Sequence, residues 1–240
     1  MSKADSTPAP RAAVDREAAG RGVWCIVVAG GSGTRFGGLK QFEYLRDIRV
    51  IDRAVATAAQ SCEGIVVVLP GEHLGAEIAH FQAAAFGRVE VVAGAATRAG
   101  SVRAGLAAVP ESARYVLVHD GARPLATSEL FGRVIDALRE GAEAVVPAVT
   151  VADTLRSVGG GSVDRDSVRA VQTPQGFSAA VLREAHSTDG EATDDAGLVE
   201  QIGYTVKLVE GERLNLKLTE QLDLILAASM IDSGALGVIQ

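Results

Sequence analysis

Residues 28–42 read VAGGSGTRFGGLKQF, and their glycines and cations follow directly on the apolar run WCIVVA at 24–29. Gly30, Gly31, Gly33, Gly37 and Gly38 leave the backbone bare, so its N–H groups can approach an anion closely. Arg35 and Lys40 add two cations to the same loop. Bare amides with nearby cations suit phosphate. The loop nevertheless follows neither common phosphate cradle. In G-x-G-x-x-G terms the third glycine position holds Phe36, and in P-loop terms Leu39 stands where lysine is required, with Lys40 one place late.

Other polar clusters follow apolar runs. HDGARP, at 119–124, places Asp120 to offer a carboxylate to magnesium and Arg123 to bind an anion through two N–H groups. The structural alternative is an Asp–Arg pair bracing a turn. His119 has no nucleophile nearby to activate and reads as a structural residue. GAATRAGS, at 94–101, offers Ser101 either as a helix cap or as a partner for a base edge. QTPQGF, at 172–177, reads as a turn before a helix. In TDD, at 193–195, Thr193 is a natural cap and the acids match the helix dipole. NLKLT, at 215–219, sets Lys217 just before the last helix, where a lone lysine is ordinarily a solvated charge.

The elements that must position these residues alternate. Short Val/Ile-rich runs at 24–29, 65–69, 89–93, 115–118, 144–148 and 205–209 are nearly continuous, the pattern of strands covered on both faces. Helical spacing recurs at 51–59, 101–108, 130–138, 194–202 and 220–231, with Thr127 or Ser128 capping the third. Strands alternating with helices predict an α/β fold: three layers, Rossmann-like, around a mostly parallel sheet. Ligands of such sheets sit at the carboxyl ends of the strands, where the glycine loop falls. Residues 153–171 break the rhythm. Two short β-like stretches flank Gly159, Gly160 and Gly161, which predicts a projecting hairpin arm. Its unpaired edges suit either solvent or a second subunit.

Composition narrows the partners. The chain has 240 residues, 48% apolar, and a net charge of −7, which argues against a long nucleic-acid ligand. No apolar run approaches the roughly 18 residues of a membrane span. Residues 1–22 have the composition of a disordered tail, with residues 23–240 forming one domain and the cytoplasm the expected compartment. Cys25 and Cys62 lack metal-ligand spacing, and Cys25 reads as a buried, reduced thiol.

Taken in order, the glycine loop with Arg35 and KQF, then GAATR..SV, HDGARP, DT, VDR, QTPQGF, TDD and NLKLT resemble the 2-C-methyl-D-erythritol 4-phosphate cytidylyltransferase family across about residues 24–231. The resemblance implies transfer of CMP from CTP to the sugar-alcohol phosphate, with release of pyrophosphate, in the non-mevalonate route to isoprenoid precursors. It implies magnesium or another divalent cation as cofactor and a homodimer as the assembly. It assigns Arg35, Lys40 and Lys217 to catalysis. Ala29, Gly30, Gly31, Ser32, Gly33, Gly94, Arg98 and Ser101 would bind the nucleotide. Asp120, Arg123 and Thr193 would meet the sugar phosphate, Asp120 the metal also. Thr154 and Arg165 would reach the substrate of the other subunit from an exchanged arm.

Three other readings share parts of this pattern. Ribitol 5-phosphate cytidylyltransferases share most of the motifs, but tend to carry valine where this chain has Ala122. A nucleotide-binding relative without catalysis would have less need of Arg35, Lys40, Asp120 and Arg165. A glycosyltransferase would carry a D-x-D metal motif, and the pair Asp164 and Asp166 falls on the arm instead.

Overall fold

The structure, a computed structural model, describes residues 20–31, 33, 35–187, 190 and 192–234. Residues 1–19 of the expected tail and Ser32 lie outside these.

Among the described residues twelve strands run in chain order: β1 (Val23–Val28), β2 (Tyr44–Leu45), β3 (Ile48–Arg49), β4 (Gly64–Leu69), β5 (Val89–Ala93), β6 (Tyr115–Asp120), β7 (Ala144–Thr150), β8 (Leu155–Arg156), β9 (Ser162–Val163), β10 (Arg169–Val171), β11 (Gln175–Ser178) and β12 (Val206–Glu210). The α-helices described with them are α1 (Val50–Ala59), α2 (Leu74–Ala83), α3 (Arg98–Ala108), α4 (Ser128–Arg139), α5 (Ala179–Ala185), α6 (Asp195–Gln201) and α7 (Gln221–Asp232).

Eight strands form the main sheet, in the order β10-β7-β11-β6-β1-β4-β5, with β12 paired to β7. The pairs β6·β1, β1·β4, β4·β5 and β7·β12 are parallel; β10 and β11 run antiparallel to β7. The expected α/β fold with a mostly parallel sheet is therefore present.

The period of two along each strand explains the layers. In β1, Val23, Cys25 and Val27 enter one core, with Ile65, Val67 and Leu69 of β4 and the buried stripe of α4. Trp24 and Ile26 enter the other, with Val66 and Val68 of β4 and the apolar side chains of α3, α5 and α6. Both faces are covered, so the run reads as continuously apolar. Each such Val, Ile or Leu contributes about 1.5–3 kcal/mol by leaving water. Cys25 is buried and unbridged, as expected. In α4, Leu130, Phe131, Val134, Ile135 and Leu138 are the buried stripe, and the Thr127 hydroxyl accepts the Leu130 N–H at 3.2 Å.

Three expectations change. QTPQGF is not only a turn: Gln175–Ser178 is strand β11, buried between β6 and β7 and preceded by a cis Thr173–Pro174 bond. Thr97, not Ser101, caps α3 by accepting the Gly100 N–H, so the helix begins a turn earlier. Asp194, not Thr193, caps α6 by accepting the Gly197 N–H. The hairpin arm forms as expected. Leu155 pairs with Val163 and Arg156 with Ser162, while Gly160 and Gly161 take φ of 104° and 82° in the turn.

Candidate active site

The carboxyl ends of the parallel strands open into a cavity of about 240 Å³. Its floor is Val28, Ala29, Gly30 and Gly31 leaving β1, beside Asp120 and Ala122 leaving β6. One wall is the segment 95–98 with Ser101; the opposite side carries Lys40, Gln41 and Lys217. The register pairs Val28 with Asp120 directly, so the glycine loop and the HDGARP turn leave the sheet side by side.

Close packing at this mouth requires glycine. Gly121 N–H donates to Val28 O at 2.9 Å, and a Cβ on Gly121 would sit 2.9 Å from that of Ala29. Gly33 takes φ of 64°, and its carbonyl accepts N–H groups of Phe36 and Gly37, each at 2.9 Å. A Cβ there would overlap the Gly38 carbonyl oxygen. The loop thus folds on itself and returns Lys40 to the cavity, while Gln41 Nε2 donates to Gly31 O at 3.4 Å.

Asp120 is the charge centre. Its carboxylate lies 2.8 Å from Lys217 Nζ, 3.6 Å from Arg123 Nε and 3.9 Å from Arg98 Nη2. Burial alone would raise its pKa. The charges of Lys217, Arg98 and Arg123 prevail and hold it near 2. Lys40 moves the other way: burial lowers its pKa, and the Lys217 and Arg35 charges lower it further. The cavity therefore holds more positive charge than its own acids neutralise, as an anion site should.

A hydrogen-bonded scaffold behind the cavity sets these groups. The Asp120 N–H donates to Thr173 Oγ1 at 3.0 Å, and that hydroxyl lies 3.1 Å from His119 Nδ1. His119 Nε2 lies 3.3 Å from Arg123 O, an acceptor, so the ring proton is on Nε2 and Thr173 donates to Nδ1. Burial pushes the imidazole down to about 4 and keeps it neutral. His119 is thus the structural residue expected. Lys217 is held by its neighbours, since Leu218 N–H donates to Ala122 O at 2.8 Å. Asn215 Nδ2 donates to Thr173 O at 2.9 Å, and Gln172 Nε2 to Glu212 O at 2.7 Å.

The expected site residues divide. Ala29, Gly30, Gly31, Lys40, Arg98, Ser101, Asp120 and Lys217 line one cavity. Gly33 and Gly94 are outside that lining; Gly94 lets Ser101 approach, with a Cβ position 3.0 Å from its Oγ. Ser101 spends its hydroxyl on the wall itself, accepting the Ala95 N–H at 3.0 Å. Arg123 braces the turn, donating from Nη1 to Asn215 O at 2.8 Å. Arg35 and Thr193 are exposed and outside the cavity lining. Thr154 and Arg165 are exposed on the arm, where Arg165 Nη1 donates to Ala152 O at 3.1 Å. Sequence reasoning missed Gln41, which KQF placed beside Lys40 but which carries no charge to mark it. It also missed Asp195, whose buried carboxylate pairs with Arg98.

The donor set can be tested against magnesium. Asp120 is the only acid lining the cavity among the described residues, and no group of three or more His, Cys, Asp or Glu among them could hold a metal ion. One ionised carboxylate fits magnesium bound chiefly through substrate phosphate oxygens.

Comparison with known proteins gives a consistent result. The chain matches the family model described as IspD: 2-C-methyl-D-erythritol 4-phosphate cytidylyltransferase over residues 23–233. It is 44% identical over 229 residues to a 2-C-methyl-D-erythritol 4-phosphate cytidylyltransferase of Rhodococcus opacus (strain B4), covering 91% of this chain and 99% of that one. Among solved structures it superposes on the 2-C-methyl-D-erythritol 4-phosphate cytidylyltransferase of Thermus thermophilus with a TM-score of 0.73 at 36% identity, covering 87% and 98% of the two chains. The 4-diphosphocytidyl-2C-methyl-D-erythritol synthase of Anaerococcus prevotii DSM 20548 gives 0.76 at 29% identity, covering 88% and 98%.

Proposed function

Since the chain belongs to the 2-C-methyl-D-erythritol 4-phosphate cytidylyltransferase family, we propose that the cavity at the mouth of β1 and β6 takes CTP and that its cations carry the transfer. The enzyme transfers CMP from CTP to 2-C-methyl-D-erythritol 4-phosphate, in the route to isoprenoid precursors. A phosphate oxygen of the acceptor forms a bond to the α-phosphorus of CTP. The bond from that phosphorus to the bridging oxygen breaks, and pyrophosphate leaves with the electron pair. No proton transfer to carbon and no covalent enzyme intermediate is needed.

The observation that carries this reading is the convergence of Lys40, Lys217 and Arg98 on a cavity whose one acid among the described residues is Asp120. Negative charge grows on the α-phosphate oxygens as the new bond forms. Fixed cations meet that charge without reorganising. Lys40 is half-buried and starts with its charged form disfavoured, so an arriving triphosphate relieves a cost already present. The backbone of 29–31 meets the phosphates, and the wall at 95–98, stiffened by Ser101, meets the nucleoside. Arg35 joins from the loop tip. Arg123 and Thr193 would meet the acceptor.

Asp120 would hold magnesium together with phosphate oxygens, and the ion would screen the triphosphate charge. Thr154 and Arg165 point to a dimer. They are exposed on an arm and outside the cavity lining of their own chain, which suits residues that complete a partner's site. No helix among the described residues is long and apolar enough to cross a membrane, and we place the enzyme in the cytoplasm. Direct titration of CTP, UTP and ATP with magnesium tests the reading. CTP should bind at least about tenfold more tightly than ATP; equal binding of all three would remove the base-reading role from the 95–101 wall.

A further inference from the structure

We propose that His186 is a positioning residue for the nucleotide site, fixing Arg98 in the cavity wall through Asp195. The inference rests on the reading of this cavity as the CTP site.

His186 directly follows α5, and its side chain is 2% exposed. Its Nε2 lies 3.0 Å from Asp195 Oδ1. Asp195 opens α6 and is fully enclosed, and its other oxygen lies 2.7 Å from Arg98 Nη1, a charge contact off the hydrogen-bonding angle. Arg98 opens α3 and lines the cavity; its second terminal nitrogen is 3.9 Å from Asp120. The chain of contacts runs from a buried ring to the substrate space.

A carboxylate removed from water needs both oxygens engaged. Arg98 engages one and His186 the other. A carboxylate only accepts, so Nε2 carries the proton and donates. Nδ1 is then a buried nitrogen with no hydrogen-bond partner among the described residues. A ring kept for packing alone would be better replaced by an apolar side chain, which leaves no such atom. What the ring provides is the direction of the Asp195 carboxylate. Gln175 holds that same turn: its Nε2 donates to the Asp194 side chain at Oδ2, 2.7 Å away, and its Oε1 accepts the backbone N–H of Ala196 at 3.3 Å. The turn is fixed by Gln175 and the carboxylate by His186.

Two carboxylates compete for Arg98. At 2.7 Å against 3.9 Å, Asp195 holds the guanidinium back from Asp120. If the Asp195 carboxylate turns away, Arg98 closes on Asp120. That neutralises the one acid at the cavity and moves the wall that meets the nucleoside.

The test compares His186→Leu and His186→Met, which fill the space without a donor, with His186→Gln, whose amide keeps an N–H for Asp195. CTP binding with magnesium is read by calorimetry, alongside melting temperature and the KM of each substrate. The apolar variants should bind CTP about tenfold more weakly, the scale of one lost contact to a buried charge, with the KM for the sugar phosphate within about twofold. His186→Gln should return to within about threefold of wild type. In an Arg98→Ala background, the change at His186 should add less than about twofold, because the two act as a unit. Apolar variants that fold and bind CTP like wild type overturn the inference, as does an undiminished effect without Arg98. Should the leucine variant fail to fold, the methionine and glutamine pair gives the same comparison. A wild-type protein that takes up no CTP overturns the reading of the site and this inference together; normal uptake by wild type and apolar variants alike overturns the inference alone.

Discussion

Lys217 Nζ and Asp120 Oδ2 meet at 2.8 Å, although one leaves the loop before α7 and the other ends β6. This pair brings the last segment of the chain to the strand mouth and is the main reason the Asp120 carboxyl titrates near 2. Asp120→Asn should leave Lys217, Arg98 and Arg123 without their shared counter-charge. The expected loss is about 1–3 kcal/mol, less than for a fully buried pair because Lys217 is 41% exposed. The sign with pH follows from the depressed pKa. Wild type keeps this contribution above about pH 4 and loses it as pH falls toward 2. Melts of both proteins from about pH 6 down to about pH 2 check this: their difference should shrink with acid, and a constant gap would rule the linkage out.

Lys40 should show the opposite balance. Burial and the neighbouring cations disfavour its charge in the folded state, so that charge costs stability at neutral pH. Lys40→Met should melt no lower than wild type, yet turn over about 10²–10³-fold more slowly, as for other donors to transition-state charge. Lys40→Ala should show the same loss of turnover. A variant that unfolds early, or one that works normally, would remove Lys40 from this role.

Gly121→Ala tests the joint between β1 and β6. The added methyl would lie 2.9 Å from the Ala29 Cβ and 3.3 Å from Val28 O, and the strand ends must separate to admit it. A loss of about 1–3 kcal/mol is expected, with a raised KM for CTP because Ala29 is part of the cavity floor. Denaturant unfolding and steady-state kinetics read the two effects. Gly132 on α4 has open space at its Cβ position, so Gly132→Ala is the control and should be neutral or stabilising.

The arm gives a mixing experiment. If Arg165 completes the partner's site, Arg165→Ala and Lys40→Ala proteins are each inactive alone, but a mixed dimer contains one site with both wild-type residues. Mixing after partial unfolding and refolding should restore up to about a quarter of wild-type activity, the statistical share of intact sites when dimers form symmetrically at random. Recovery of nothing from two well-folded partners would place Arg165 outside the neighbour's site.

The parts of this molecule legible in the sequence are those governed by local periodicity. The strands β1 and β4 are apolar throughout because alternate residues enter two different cores, and α4 shows its stripe and its Thr127 cap. Helix α2 was not legible: Glu77 and Phe81 are its buried residues, too few to mark a face, and Glu77 is buried by its pairing with Arg49. Strand β11 hides in QTPQGF because Gln175 and Gly176 are buried through pairing with β6 and β7, not through apolar character. The site divides in the same way. The glycine loop and HDGARP announce themselves by composition. Lys217 does not, since its place depends on Asn215, Gln172 and Leu218 gripping segments distant in the chain. Nor does Asp195, which looks like a helix-opening acid until α5 and α3 close over it.

The most direct measurement is pyrophosphate release from CTP with magnesium, using 2-C-methyl-D-erythritol 4-phosphate and ribitol 5-phosphate in parallel. Pyrophosphate should form with the erythritol phosphate, stop on chelation of the metal while the melting temperature stays unchanged, and return when magnesium is restored. A preference for ribitol 5-phosphate, or no pyrophosphate from CTP with either acceptor, would contradict the account.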